Sequence, residues 1–270
     1  MLIERIHGDD AKAAARAVGL ALSAHFVVDL IRIGLHALRS TEAFGYDRGD
    51  FFFLGLRLLS ATSLGLTVWL ALGVRRYRNA LGSVAGPVRW ALVGAIALVV
   101  ISVTFQLYSL AGWFDLAPAY DPDGWIHTFF GGLSFARLVA WMFTLVLLAL
   151  EVARIGSAYA RPPSPALVWG TVGAQVFVAA VGLIQFFGTF QFAGEGLWII
   201  QGLVFALSTV PPAVLMIRHA AELSTVPEDL SVRNETAPAA EGEGRFRPAG
   251  LGLSRYANGL VAQFVVNVIG

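Results

Sequence analysis

The chain predicts an all-α, polytopic integral membrane protein, a bundle of about six transmembrane helices with both termini cytoplasmic. Three observations carry that prediction. Apolar residues make up 57% and charged residues 14% of 270, and mean hydropathy is +0.69, too apolar for a soluble globular chain of this length. Six mostly apolar runs follow one another, each exceeding the roughly 18 residues that a bilayer core demands of a helix. Arginines gather in alternate loops, the asymmetry of a positive cytoplasmic side.

The runs fall near residues 15–37, 51–74, 88–112, 125–150, 166–190 and 196–217. With short loops they fill 1–222 as one transmembrane domain, which leaves no length for a large soluble domain. The N-terminal MLIERIHGDDAK is polar and of mixed charge. The run after it is full-length, so the first helix is expected to be retained rather than cleaved as a signal. Arg75, Arg76, Arg78 and Arg89 surround the loop after the second span, Arg154 and Arg161 follow the fourth, and Arg218 ends the sixth. These ends should be cytoplasmic, in a plasma (inner) membrane. The other loops carry Asp115, Asp121 and Asp123, then Glu195, with Arg39 and Arg48 mixed among Glu42, Asp47 and Asp50 in the first. Trp113, Trp125 and Trp198 fall at the predicted outer ends and Trp90 and Trp169 near the inner ends, where indole rings prefer the interface.

Pro162, Pro163 and Pro165 close the loop before the fifth span, and Pro211 and Pro212 should kink the sixth. Gly132, Ala136 and Ala140 run at four-residue spacing on the fourth helix, a surface suited to close helix packing. Ala43, Tyr46, Asp47 and Phe51 fall opposite Ala117, Tyr120, Asp121 and Trp125 at an offset of 74, the pattern of a duplicated helical hairpin. Residues 223–250, rich in Pro, Glu, Gly and Ala, read as a flexible cytoplasmic linker. Residues 251–270 form a short apolar C-terminal segment, too short to span as a helix. Its Val-rich alternation suits an interfacial segment, a strand docking on a partner, or a tail packed on its own protomer.

Composition also excludes. The absence of cysteine removes disulfides, thiol catalysis and iron–sulfur ligation, and a net charge of +1 argues against nucleic acid as a partner. Lys12 is the only lysine, so no Schiff base sits in a late helix. No catalytic motif occurs: Gly132-Leu133-Ser134 lacks the closing glycine of a nucleophile elbow, and neither HExxH nor a Walker loop is present.

Ionisable residues inside spans are costly and face a bundle interior or a water-filled cavity. His25, Asp29, Arg32 and His36 are spaced four, three and four apart, one narrow stripe of the first helix. Arg57, Gln106, Gln185 and Gln201 place a polar layer with Asp29 and Arg32 in the outer third, while His25 and Arg137 fall near mid-bilayer with Gln175 close by. Asp29 can pair with only one of Arg32, Arg57 and Arg137. The sequence therefore predicts an Arg-rich intramembrane cavity open to the outer side, lined by His25, Asp29, Arg32, Arg57, Gln106, Arg137, Gln185 and Gln201. Such a cavity would bind or translocate a small polar or anionic solute, with His25 as a proton-responsive element.

The bland alternative is that these groups are interhelical ion pairs and hydrogen bonds, with Arg32 and Arg57 snorkelling. The chain would then be an accessory subunit of a larger membrane complex, redox, haem or quinone associated. His36 and His127 are the one histidine pair at matching depth that could ligate haem. His25 and Asp29 lack the further ligands a metal needs, so no metal is expected. A lipid- or quinone-directed enzyme would have only His127 and Asp123 at the rim to work with. Expected partners are the bilayer and a homo-oligomer or complex subunit.

Overall fold

The computed structural model describes residues 8–40, 49–82, 85–113, 125–158, 163–186 and 195–223. The expected linker beyond Leu223, the segment 251–270, Asp115, Asp121, Asp123 and most of the proposed repeat lie outside the described residues. The described residues form seven helices: α1 Gly8–Ser40, α2 Gly49–Leu81, α3 Val88–Trp113, α4 Trp125–Ala158, α5 Pro165–Phe186, α6 Glu195–Ser208 and α7 Val210–Leu223. Six stretches are long and apolar enough to cross a membrane, the last of them being α6 and α7 end to end. Among the described residues there is no strand.

The helices run past the apolar stretches at one end of the bundle, for a visible reason. Beyond Val74 in α2, the side chains of Arg75, Arg76, Arg78 and Asn79 are exposed while Tyr77, Ala80 and Leu81 are buried. Helical periodicity therefore outlasts the hydrophobic run. α1 likewise starts at Gly8, with Asp9 and Asp10 in its first turn, where carboxylates complement the positive helix end. Gly82 stops α2 at a φ of 56°, the left-handed position that favours glycine after a helix. Pro87 precedes α3 and its carbonyl accepts from Trp90 and Ala91. Ser164 does the same for Leu167 and Val168 at the start of α5, with Pro165 as the first helical residue.

Each helix packs on the next in sequence, α1 on α2, α2 on α3, α3 on α4, α4 on α5 and α5 on the α6–α7 pair, which returns to α1. The six spans thus make a ring, crossed at one end by contacts of α7 with α4. Among the described residues, α1 and α4 make no such backbone approach to each other. Close approach is set by glycines on the neighbouring pairs: a Cβ at Gly19 would lie 3.2 Å from the Ala213 carbonyl oxygen of α7, and one at Gly94 would lie 2.5 Å from Thr144 Oγ1 and 3.2 Å from the Ala140 carbonyl oxygen of α4. The small-residue stripe expected on α4 is in contact only at this deep end. Nothing lies within 4 Å of a Cβ at Gly132, and Ala136 is exposed.

The hydrophobic core fills one half of the ring. It comprises the start of α1 (Ala11 to Leu22), the end of α2 (Leu70 to Leu81), the start of α3, the end of α4 (Leu145 to Ile155), Val168 at the start of α5, and α7. Arg75, Arg76, Arg78, Arg89, Arg154 and Arg218 all belong to this closed end, as do Trp90 and Trp169, each about two-thirds exposed where α3 and α5 begin. The opposite half contributes nothing to that core.

Candidate functional site

The buried stripe of α1 continues from the closed half into the open one. Val18, Leu22 and His25 are sealed, at 0%, 0% and 3% exposure, but the side chains of Asp29 and Arg32 on the same stripe are 28% and 30% exposed, and His36 is exposed. The exposed residues Val27, Leu30 and Ile31 beside it are apolar. This one stripe passes from sealed packing to partial exposure while remaining polar.

Facing this stripe, α4 carries Trp141 and, one turn nearer its start, Arg137. The His25 and Trp141 rings meet edge to face with centroids 5.1 Å apart. Asp29 is one turn above His25 and Arg137 one turn above Trp141, so the antiparallel helices set Asp29 and Arg137 at one level. The charges of Arg32 and Arg137 act on both His25 and Asp29, and those of Arg32 and Asp29 on Arg137. Asp29 is engaged by its own helix neighbour, Arg32 Nη1 donating to Oδ1 at 3.5 Å. Long side chains thus bridge α1 and α4 where the backbones stand apart, with His25 and Trp141 as a floor and Asp29, Arg32 and Arg137 above it.

The remaining predicted residues sit higher. Arg57 is half-buried on α2, two residues from Gly55, whose missing Cβ would face Leu35 of α1 at 3.7 Å. Gln201 adjoins Gly202, where a Cβ would lie 2.9 Å from Ile33. Both are therefore level with Arg32. Gln106 is half-buried on α3, near the open end, beside Phe105 and Tyr108, whose rings pack on Phe130 of α4. Of the two haem-type histidines, His36 lies at the mouth with its ring edge-on to Phe52 at 5.9 Å. The side chains of His127 and Gln185 lie outside the described residues. Among the described residues no three His, Cys, Asp or Glu side chains gather as a metal site would require.

Three polar anchors of the closed half escape sequence reasoning. Glu151 is fully buried. Its Oε2 accepts from the backbone N–H of Gly86 and of Val88, both at 3.1 Å, capping the start of α3, and its Oε1 accepts from Arg154. Tyr77 on α2 and His219 on α7 share a buried hydrogen bond of 2.7 Å. Their signal, a polar residue at helical spacing among buried ones beyond the apolar run, is visible only once the helices are known to extend that far.

Comparison with protein-family models, with curated proteins and with solved structures gives no match. The site is therefore read from its chemistry alone.

Proposed function

We propose that the chain binds or translocates a small polar or anionic solute through the Arg-rich opening between α1 and α4, and that this opening faces the outside of an inner (plasma) membrane. The observation that supports this most is the charge balance above the His25–Trp141 floor: among the described residues one carboxylate, Asp29, stands with two guanidiniums, those of Arg32 and Arg137. Asp29 is paired to Arg32 on its own helix, and Arg137 is half-buried on the facing one. A guanidinium held out of water needs an anion or ordered water beside it. The arginines clustered at the closed end support a cytoplasmic placement of that end.

The test is binding of a panel of small anions, from chloride to short carboxylates, to the purified protein in nanodiscs. Arg137→Gln should weaken binding about tenfold or more, the loss expected when one charge-assisted hydrogen bond of roughly 1.5–3 kcal/mol is removed. Arg137→Lys should retain part of it. An anion panel that shows no saturable binding, together with partner subunits or a Soret band in protein purified from its own host, would replace this reading with that of an accessory subunit.

A further inference from the structure

The sixth span is cut where α6 ends at Ser208 and α7 begins at Val210. Pro211 and Pro212 have no N–H, so the carbonyls four residues earlier, of Leu207 and Ser208, lose their helical donors. The Ser208 carbonyl is repaired from another helix: Gln175 of α5 donates Nε2 to it at 2.9 Å. That carbonyl fixes the amide, because the flipped orientation would set two acceptors face to face. Oε1 of Gln175 is then left over. Gln175 is 0% exposed, and Oε1 has no donor among the described residues.

The other groups at the break are acceptors too. Ser208 Oγ donates to the Phe205 carbonyl and Thr209 Oγ1 to the Ala206 carbonyl, each at 2.7 Å. Each hydroxyl has thus spent its single proton and offers only lone pairs. On the α1 side, Gly19 sits against Ala213 and Ile217 of α7. Moving six residues along α1 and as many back along the antiparallel span, about 9 Å on each, brings His25 level with Thr209. His25 Nε2 is the second sealed polar atom without a partner at this depth; with the ring proton on Nδ1, it also accepts.

A buried place supplied with acceptors suits a species that carries positive charge and needs no acceptor of its own. No carboxylate stands among these groups, which disfavours a divalent ion. We propose that the break in the sixth span binds one dehydrated monovalent cation of about sodium's size, held by Gln175 Oε1 and the Ser208 and Thr209 hydroxyl oxygens, with His25 Nε2 facing it. A broken helix whose end turns polar atoms inward is a general way to hold an ion at mid-membrane. Arg137 stands one turn above this level and repels a lone cation, so cation and anion should favour each other's binding; this last clause rests on the anion reading above.

The experiment uses the full chain in nanodiscs, its thermal midpoint measured in sodium, potassium and N-methyl-D-glucamine chloride at equal ionic strength, with binding of radioactive sodium alongside. Sodium should raise the midpoint saturably, potassium should need about tenfold more, a discrimination of about 1.4 kcal/mol, and N-methyl-D-glucamine should do nothing. Gln175→Leu should abolish the sodium effect. Because it also removes the bond to Ser208, Thr209→Val serves as the variant that keeps that bond, and it should weaken sodium binding about tenfold. Equal midpoints in the three salts, or sodium binding unchanged in both variants, would mean that only water fills the break and would overturn the proposal. Sodium stabilisation in a protein that binds no anion would uphold the cation site and sink the anion reading; anion binding with the three salts equivalent would do the reverse.

Discussion

Replacing Glu151 by alanine should be among the most damaging single changes in the closed half. The carboxylate is fully buried and holds two backbone N–H groups at the start of α3, each at 3.1 Å. Stranding the buried Val88 donor costs about 1–3 kcal/mol and stranding the half-buried Gly86 donor less, so the two together account for roughly 3 kcal/mol. The side chain of Arg154 is 23% exposed and water can take over part of its solvation, so its lost ion pair adds on the order of 0–1 kcal/mol. Glu151→Gln retains an oxygen for the N–H groups and should cost only about 1–2 kcal/mol. Arg154→Ala leaves a buried carboxylate with only its two backbone donors and should cost about 1–3 kcal/mol, less than Glu151→Ala. Equilibrium unfolding by dodecyl sulfate in mixed micelles ranks the three variants. Equal costs for alanine and glutamine at position 151, or Arg154→Ala as the worst of the set, would make the ion pair, rather than the helix cap, the source of stability.

Further tests probe the other contacts. Tyr77→Phe strands His219 Nε2 in the core and should lower stability by about 1–2 kcal/mol, read in the same titration. Gly94→Val forces a branched side chain against Thr144 Oγ1 and the Ala140 carbonyl; it should destabilise the bundle by about 1–3 kcal/mol, and Thr144→Ala in the same chain should recover part of that loss. Asp29→Asn removes the carboxylate paired with Arg32 and should tighten small-anion binding about tenfold, measured by the same nanodisc assay, whereas an interhelical-glue role would show only lost stability.

How far the sequence could be read follows from where polarity falls. The spans and the break at Pro211 and Pro212 were legible because bilayer crossing and missing N–H groups act through local sequence. The stripe His25, Asp29, Arg32 was legible because helical spacing alone puts its members on one face. Which helix faces the stripe was not: Arg137 and Trp141 reach it from α4, a helix that α1 meets through side chains alone among the described residues, and no local pattern encodes that meeting. Glu151 reads in sequence as an interfacial acid near a helix end. It is buried because its partners are backbone N–H groups 63 and 65 residues away, and backbone groups leave no mark in a sequence. The helix ends were underestimated wherever charges begin on one face while the opposite face goes on packing, as at Tyr77 and His219. On α4, small residues mark where close approach is sterically allowed, and the deeper pair Ala140 and Thr144 is where α3 takes it up.

The ring has a consequence for how the protein is made. Neighbours in the wall are neighbours in the chain, so each hairpin can assemble as its second helix emerges, except at the seam. The buried face of α1, from Ala11 through Leu22, is completed by α7, the last helix among the described residues, with Gly19 seated against Ala213 and Ile217. Until that span arrives, the first helix keeps its packing face uncovered, and a chain stalled before residue 210 would present a bundle open along one side.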